Sequence, residues 1–232
     1  MKDINNGLLY GLSYFTSLPF KVKYFEANGK FYQGVLYSLP LAGVILSVIT
    51  ILVYQLLPFD NIYNALLSSV IYIFLYGMLH LEAVADTIDG YYASLSSKNV
   101  YEIMHEPQIG ALGAIGAFCF TFLVIVSISY CLYLEQFVVL VLALSLSRLT
   151  VWFGLEYDFH PKSLFVISLK QNYKPFYILE FVFFIPKYFT KYVLKKIKNQ
   201  LGFLNGDILG FVIVLNEILF INIFLYIVIV MR

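Results

Sequence analysis

The sequence predicts an all-α fold, a polytopic bundle of transmembrane helices. Of its 232 residues, 61% are hydrophobic and only 12% are charged, whereas charged residues make up about a quarter of an average soluble domain. The mean hydropathy is +0.82. Several apolar runs also reach the roughly 20 residues that a helix needs to cross hydrocarbon. We therefore expect a single integral membrane domain over residues 1–232.

Five apolar runs are clear candidates for membrane spans. They cover residues 33–57, 62–81, 110–134, 136–155 and 208–231. Ahead of them, residues 7–20 are apolar but short, which predicts a helix that lies in or dips into the membrane interface. The span 62–81 leads directly into a polar segment at 82–108. We expect this segment to start as a continuation of that helix and then to form a long loop.

Residues 156–207 are ambiguous. The apolar run 176–186 contains Glu180 and is too short to cross, and a lysine-rich segment follows at 187–198. If the N-terminus is cytoplasmic, the positive-inside rule favours an even number of crossings in this region, because every lysine is then cytoplasmic. We predict either no crossing or a short re-entrant pair. The lysine-rich helix would anchor to lipid headgroups.

The polar segment at 82–108 holds an unusual concentration of acids. Five of the fourteen acidic residues of the chain lie in it, and carboxylates so close to a bilayer are costly unless they are compensated. Glu82, Asp86 and Asp89 are spaced i, i+4 and i+7, so they share one helix face about 60° wide. Mg²⁺ takes carboxylate oxygens and commonly bridges to substrate phosphates. The pattern therefore predicts a metal-dependent, phosphate-handling site at a membrane face.

Two other classes of protein can be weighed on composition and pattern. The net charge of +1 gives no indication of nucleic-acid binding, and we predict none. A transporter with a cation-binding acidic cluster is an alternative to an enzyme. Transporters favour repeated topologies and sites near the middle of the membrane, whereas these acids lie at the end of a span in a chain without a visible repeat.

Blocks along most of the chain carry a family resemblance. Two long ones surround the acids: HLEAVADTIDG at 80–90 and YEIMHEPQIGALG at 101–113. Shorter ones are YFTSLP at 14–19, LPLAG at 39–43, Ser147-Arg148, and LNGDILG at 204–210 with Glu217. In order and rough spacing they resemble the blocks of the cobalamin synthase family (adenosylcobinamide-GDP ribazoletransferase), which include HLDGLADTxDG and LEIMKDSRxGTxG.

The resemblance implies a reaction and a place for it. Enzymes of this family transfer the adenosylcobinamide-phosphate group of adenosylcobinamide-GDP to α-ribazole or its 5′-phosphate, and GMP leaves. They use Mg²⁺ and sit in the bacterial inner membrane. On this basis we expect a multi-pass protein whose active site faces the cytoplasm. This agrees with the interpretation of the acids, since phosphoryl-type transfer depends on positioning and on cations that neutralise charge.

The resemblance also implies metal ligands. Glu82, Asp86 and Asp89 match the three acids of the central signature. Glu106 matches the acid of the second block, and Asp207 matches the acid of the late block. All five are candidate Mg²⁺ ligands.

Two further residues are candidates for catalysis. His80 matches the histidine of the signature and is either a hydrogen-bonded structural residue or a base or phosphate contact. Arg148 lies in or near a span, where arginine is rare and usually partnered. It is either the structural partner of a carboxylate or a bidentate phosphate contact.

The chain departs from the family pattern at several positions. Ser17, Gln33 and Gln108 stand where the family has arginines, and Asn205 stands for a threonine. The losses indicate either a divergent member with the same reaction or a different substrate. The segment from Asp86 to Ala93 also partly matches the CDP-alcohol phosphotransferase pattern DxxDGxxAR. That family is the alternative enzyme class, although the second half of its motif is absent.

Overall fold

The computed structural model describes residues 2–22, 27–96, 99–173 and 184–231. Within them the chain is helical, as predicted, and no strand is assigned in these ranges. The helices are α1 (Lys2–Phe15), α2 (Gly29–Leu56), α3 (Asn61–Leu75), α4 (Leu79–Ser94), α5 (Val100–Ile103), α6 (Ala111–Tyr133), α7 (Phe137–Gly154), α8 (Leu164–Asn172), α9 (Phe184–Leu201) and α10 (Gly206–Val230).

Four of these helices are long and apolar enough to cross a membrane: α2, α6, α7 and α10. Helices α3 and α4 add a fifth candidate span if they are taken together, but their axes are bent by 79°. The multi-pass helical architecture is therefore confirmed. The four long helices agree closely with the spans predicted at 33–57, 110–134, 136–155 and 208–231.

The predicted continuous span over 62–81 is wrong in one respect. Helix α3 ends at Leu75, and Gly77 and Met78 adopt left-handed backbone angles of φ 78° and 59° before α4 begins. Ser17 occupies the break: its backbone N–H donates to the carbonyl of Leu75 at 2.9 Å and its hydroxyl to that of Phe74 at 2.6 Å. Carbonyls at a helix end need such partners. Ser17, which replaces a family arginine, thus satisfies two backbone carbonyls at the C-terminal end of α3.

The acidic residues of 82–94 consequently lie on a separate helix rather than in a loop. Helix α4 runs through Ser94 and packs against both α6 and α10. A Cβ at Gly210 of α10 would lie 2.8 Å from the Cβ of Ala83, so the glycine permits a close helix crossing. The predicted long loop starts only after α4 and contains the short helix α5.

Helix α1 packs along the first half of α2. Cβ atoms built at Gly7 and Gly34 would lie 1.9 Å from the Phe31 carbonyl oxygen and 2.1 Å from that of Ile4. Only glycine allows the two backbones to approach so closely. The helix predicted at the interface is therefore fixed against the bundle.

The ambiguous region contributes α8 and α9. Lys187 and Lys191 of α9 both form ion pairs with Glu156, which follows the end of α7. The segment after α7 meets the segment before α10, since the backbone N–H of His160 donates to the carbonyl of Leu204 at 2.8 Å. The even number of crossings between residues 156 and 207 stays a prediction. These two lysines therefore have a protein partner as well as any lipid contact. Residues 176–183, and Glu180 with them, lie outside the described ranges.

Candidate functional site

Three of the predicted ligands converge from two helices. Glu82 and Asp86 lie on α4, and Asp207 lies in the first turn of α10. Asp86 is half-buried and is repelled electrostatically by Asp207, Glu82 and Asp89. Among the described residues, no lysine, arginine or histidine forms an ion pair with these carboxylates. The arrangement concentrates negative charge that a bound cation would neutralise.

Asn205 orients one of these carboxylates. Its side-chain oxygen accepts from the backbone N–H of Ile208 at 3.0 Å, which caps α10. Its amide nitrogen donates to Asp207 at 2.7 Å. An asparagine side chain carries an acceptor and a donor on separate atoms. The residue that replaces the family threonine can therefore cap the helix and hold Asp207 at once.

The carboxylate of Asp89 is already hydrogen-bonded to the backbone of another helix. Its two carboxylate oxygens accept from the backbone N–H groups of Gly110, at 2.7 Å, and Gly113, at 2.8 Å. Those groups belong to the N-terminus of α6, where unpaired N–H groups favour an anionic partner. A Cβ at Gly113 would lie 2.2 Å from the carboxylate. Asp89 therefore caps α6 from a neighbouring helix.

Glu106 is placed apart from Asp207. It is exposed and lines a cavity of about 350 Å³ together with Asp89 and Gln108. Asp207 lines a different cavity, described below. Across the described ranges, no three His, Cys, Asp or Glu side chains lie together in an arrangement that could hold a metal ion. Asp207 thus lines a different cavity from Asp89 and Glu106, and Asp86 is within electrostatic reach of Glu82, Asp89 and Asp207.

His80 lies beside Asp207. It is 3% exposed and lines a cavity of about 100 Å³ with Tyr14 and Asp207. Its ring lies nearly parallel to that of Phe15, with ring centres 5.9 Å apart, and 4.8 Å from the ring of Tyr76. The Nε2 atom has no hydrogen-bond partner in the described part of the chain. His80 is therefore a buried residue at the wall of the site.

Arg148 is sealed inside the bundle. It is 0% exposed, and its Nη1 lies 2.7 Å from Oε1 of Glu217 on α10. The hydroxyl of Tyr72 on α3 donates to the same carboxylate oxygen at 2.8 Å and accepts from Arg148 Nη2 at 3.2 Å. The guanidinium also lies 5.0 Å from the ring centre of Tyr76. This geometry matches the structural alternative, in which a carboxylate partners the arginine.

Sequence reasoning did not identify a stack of rings beside Asp207. The ring of Tyr101 lies nearly parallel to those of His105 and His160, with centres 4.2 and 3.7 Å apart. Two rings this close would overlap on one face, so the histidines cover opposite faces. His105 interacts electrostatically with Asp207. The acidic block could have drawn attention to His105, but nothing local points to His160, which lies in the segment after α7.

Comparisons with known proteins agree with the motifs. A family model described as cobalamin-5-phosphate synthase matches residues 7–225. The adenosylcobinamide-GDP ribazoletransferase of Treponema denticola is 32% identical over 145 residues, which cover 62% of this chain and 55% of the relative. The protein of that name from Alkaliphilus oremlandii is 28% identical over 134 residues, covering 57% and 54%. That from Thermoanaerobacter pseudethanolicus is 24% identical over an alignment of 245 residues, covering 94% and 96%.

The extent of these matches differs. The chain spans about half the length of the first two relatives but nearly the whole length of the third. No solved structure matches the chain. The segment matched by the family model includes all the candidate site residues and both partners of the buried ion pair.

Proposed function

Because the chain belongs to the cobalamin-5-phosphate synthase family, we propose that it catalyses one transfer reaction in the last steps of cobalamin biosynthesis. It transfers the adenosylcobinamide-phosphate group of adenosylcobinamide-GDP to α-ribazole or α-ribazole 5′-phosphate. The observation that carries the proposal is the convergence of Asp86 and Asp207 from two helices that both lie within the family match.

The reaction exchanges one phosphorus–oxygen bond for another. A free ribose hydroxyl oxygen of the acceptor attacks the phosphorus that carries cobinamide, and the bond from that phosphorus to the GMP oxygen breaks. The attacking oxygen is not the 5′ oxygen in the acceptor whose 5′ position carries a phosphate. The hydroxyl proton is released and GMP leaves with the bridging oxygen, so no water is consumed. An acceptor that carries its own phosphate adds a second negative group. Such a transfer depends on the positioning of the two substrates and on neutralisation of their negative charge.

The donor set suits Mg²⁺ in its chemistry. Glu82, Asp86 and Asp207 offer hard carboxylate oxygens that repel one another, and Mg²⁺ prefers such ligands while retaining waters and substrate phosphates. We propose these three as the residues that hold the ion, with Asp89 and Glu106 as outer candidates. When bound, Mg²⁺ would supply neutralisation of the phosphate charge.

The structure supports different roles for the two catalytic candidates, His80 and Arg148. His80 lines the same cavity as Asp207, which supports a contact with substrate. The burial of Arg148 and its ion pair with Glu217 support a structural role instead. Within this proposal, the chain's contribution near the phosphates comes from the carboxylates that would hold the ion.

The reaction is tested with the purified chain in detergent, given adenosylcobinamide-GDP and α-ribazole with and without Mg²⁺. We expect Mg²⁺-dependent release of GMP and formation of the cobamide in equal amounts, both followed by mass spectrometry. A folded protein that forms no cobamide under these conditions would contradict the proposal, and CDP-alcohol substrates would then be tried.

We further propose that the chain is one integral domain of the bacterial inner membrane, with the acidic cluster facing the cytoplasm. Single cysteines at Lys162 and Lys196 are expected to be labelled by an impermeant maleimide only after cells are permeabilised. A cysteine at Asn61, at the opposite end of the bundle, should be labelled in intact cells. The background is Cys119→Ala, since Cys131 is buried. Labelling of Lys162 and Lys196 positions from opposite sides would contradict the even number of crossings.

A further inference from the structure

The cavity beside Asp207 has the chemistry of a binding site for an apolar ring. Its volume of about 100 Å³ is several times what a single water needs. Side chains from α1, α2, α4, α7, α8 and α10 line it, and among those side chains only Tyr14, His80 and Asp207 carry polar groups. Ligand sites in proteins combine such apolar walls with a few polar groups that fix orientation.

Aromatic rings form part of the walls. Tyr14 and Phe165 lie with ring centres 5.4 Å apart, and Phe15 lies almost parallel to the imidazole of His80, at an angle of 16°. Aromatic faces and edges pack favourably against another planar ring. Tyr14 is 44% exposed, so this side of the cavity is open to an incoming ligand.

The lining discriminates between the two heterocycles of the proposed reaction. Guanine carries more donors and acceptors along its edges than the three polar side chains of the lining can pair, and leaving some of them buried without a partner is costly. A benzimidazole ring attached to a sugar keeps one free ring nitrogen and is otherwise apolar. The single imidazole of His80 can satisfy one such nitrogen.

We propose that this cavity binds the benzimidazole-type base of the acceptor nucleoside, with the sugar directed toward Asp207; this inference rests on the proposed function. The base is buried between α1, α4 and α8, and a free ribose hydroxyl reaches the acidic cluster where the phosphorus is held. The nucleotide of the donor occupies space outside the cavity.

The test is a binding measurement that does not depend on turnover. The purified full chain is titrated isothermally with α-ribazole and, separately, with guanosine. The affinities are compared between two variants that fill the cavity and one control variant that does not. Val166→Phe places a larger side chain in the cavity from α8. Gly206→Ala is milder, because its Cβ would meet Val166 at an ordinary 3.5 Å. Leu164→Phe is the control on the same helix, at a side chain that is 71% exposed.

We expect Val166→Phe to weaken α-ribazole binding by about tenfold or more, because the ring loses much of its apolar contact. Gly206→Ala should weaken it less, and Leu164→Phe should change it by less than about twofold, since an exposed position contributes no contact. Benzimidazole alone should compete with α-ribazole, and guanosine should not. If Val166→Phe does not fold, Gly206→Ala decides the comparison.

Wild-type affinity for α-ribazole in both filled variants would overturn the inference, as would competition by guanosine at this position. A GMP-release assay on the wild-type chain separates this from the proposed function. If the wild type forms product and the filled variants keep wild-type affinity for α-ribazole, only the placement of the base is refuted. Loss of binding in the variants, with no GMP released by the wild type, supports the cavity as a ring site and refutes the transfer reaction.

Discussion

Replacing Asp86 with asparagine is expected to lower cobamide formation on the order of 10³-fold, because a metal contributes several kcal/mol of charge stabilisation in such transition states. Asp86 is the carboxylate that Glu82, Asp89 and Asp207 all repel. Without Mg²⁺, the neutral amide relieves this repulsion, so the variant should be at least as stable as the wild type. Loss of activity without loss of stability is typical of a functional residue.

The measurement pairs the transfer assay with thermal unfolding at increasing Mg²⁺. A ligand that binds the folded state raises its stability with concentration, so Mg²⁺ should raise the melting temperature of the wild type and have a much smaller effect on Asp86→Asn. Asp158→Asn is the control, since Asp158 is an exposed carboxylate paired with Lys170. Equal activity and equal Mg²⁺ stabilisation in the wild type and Asp86→Asn would place the metal site elsewhere.

Breaking the buried ion pair on one side only should destabilise the bundle strongly. Changing Arg148 to methionine, or Glu217 to leucine, is expected to lower the free energy of unfolding by about 3–5 kcal/mol, because either change leaves the other charge buried without its partner. Both side chains are almost fully inaccessible, at 1% and 0% exposure, with the charged atoms 2.7 Å apart. The hydroxyl of Tyr72 bridges the pair to α3.

The double variant Arg148→Met/Glu217→Leu separates the two roles considered for the arginine. Apolar residues of similar size can replace a buried pair at little cost, so the double variant should regain most of the stability that each single variant loses. If Arg148 serves only to pair with Glu217, transfer activity also returns. Unfolding is followed by circular dichroism in detergent. A double variant that is stable but has lost affinity for adenosylcobinamide-GDP would mean that Arg148 contacts a phosphate.

The class of protein and the helix face that carries the acids could both be predicted from the amino-acid sequence. Span positions follow from the length of apolar runs, a local property that the bilayer thickness fixes. The i, i+4, i+7 spacing of Glu82, Asp86 and Asp89 likewise needs only a helix to place the three on one side, and α4 provides it. Motif order then identified the family, because the blocks lie along nearly the whole chain.

The contacts of these charged groups, in contrast, depend on how the helices pack against one another. Gly77 is visible in the sequence, but the break there is completed by Ser17, which binds the freed carbonyls from a distant segment. Asp89 was predicted as a metal ligand, and its oxygens are bound by the N-terminus of α6. A hydrogen bond or an ion pair acts over a few ångströms, whereas sequence spacing fixes distances only within one helix. The partners of Asp89 and Arg148 lie on other helices, so no local pattern could specify them.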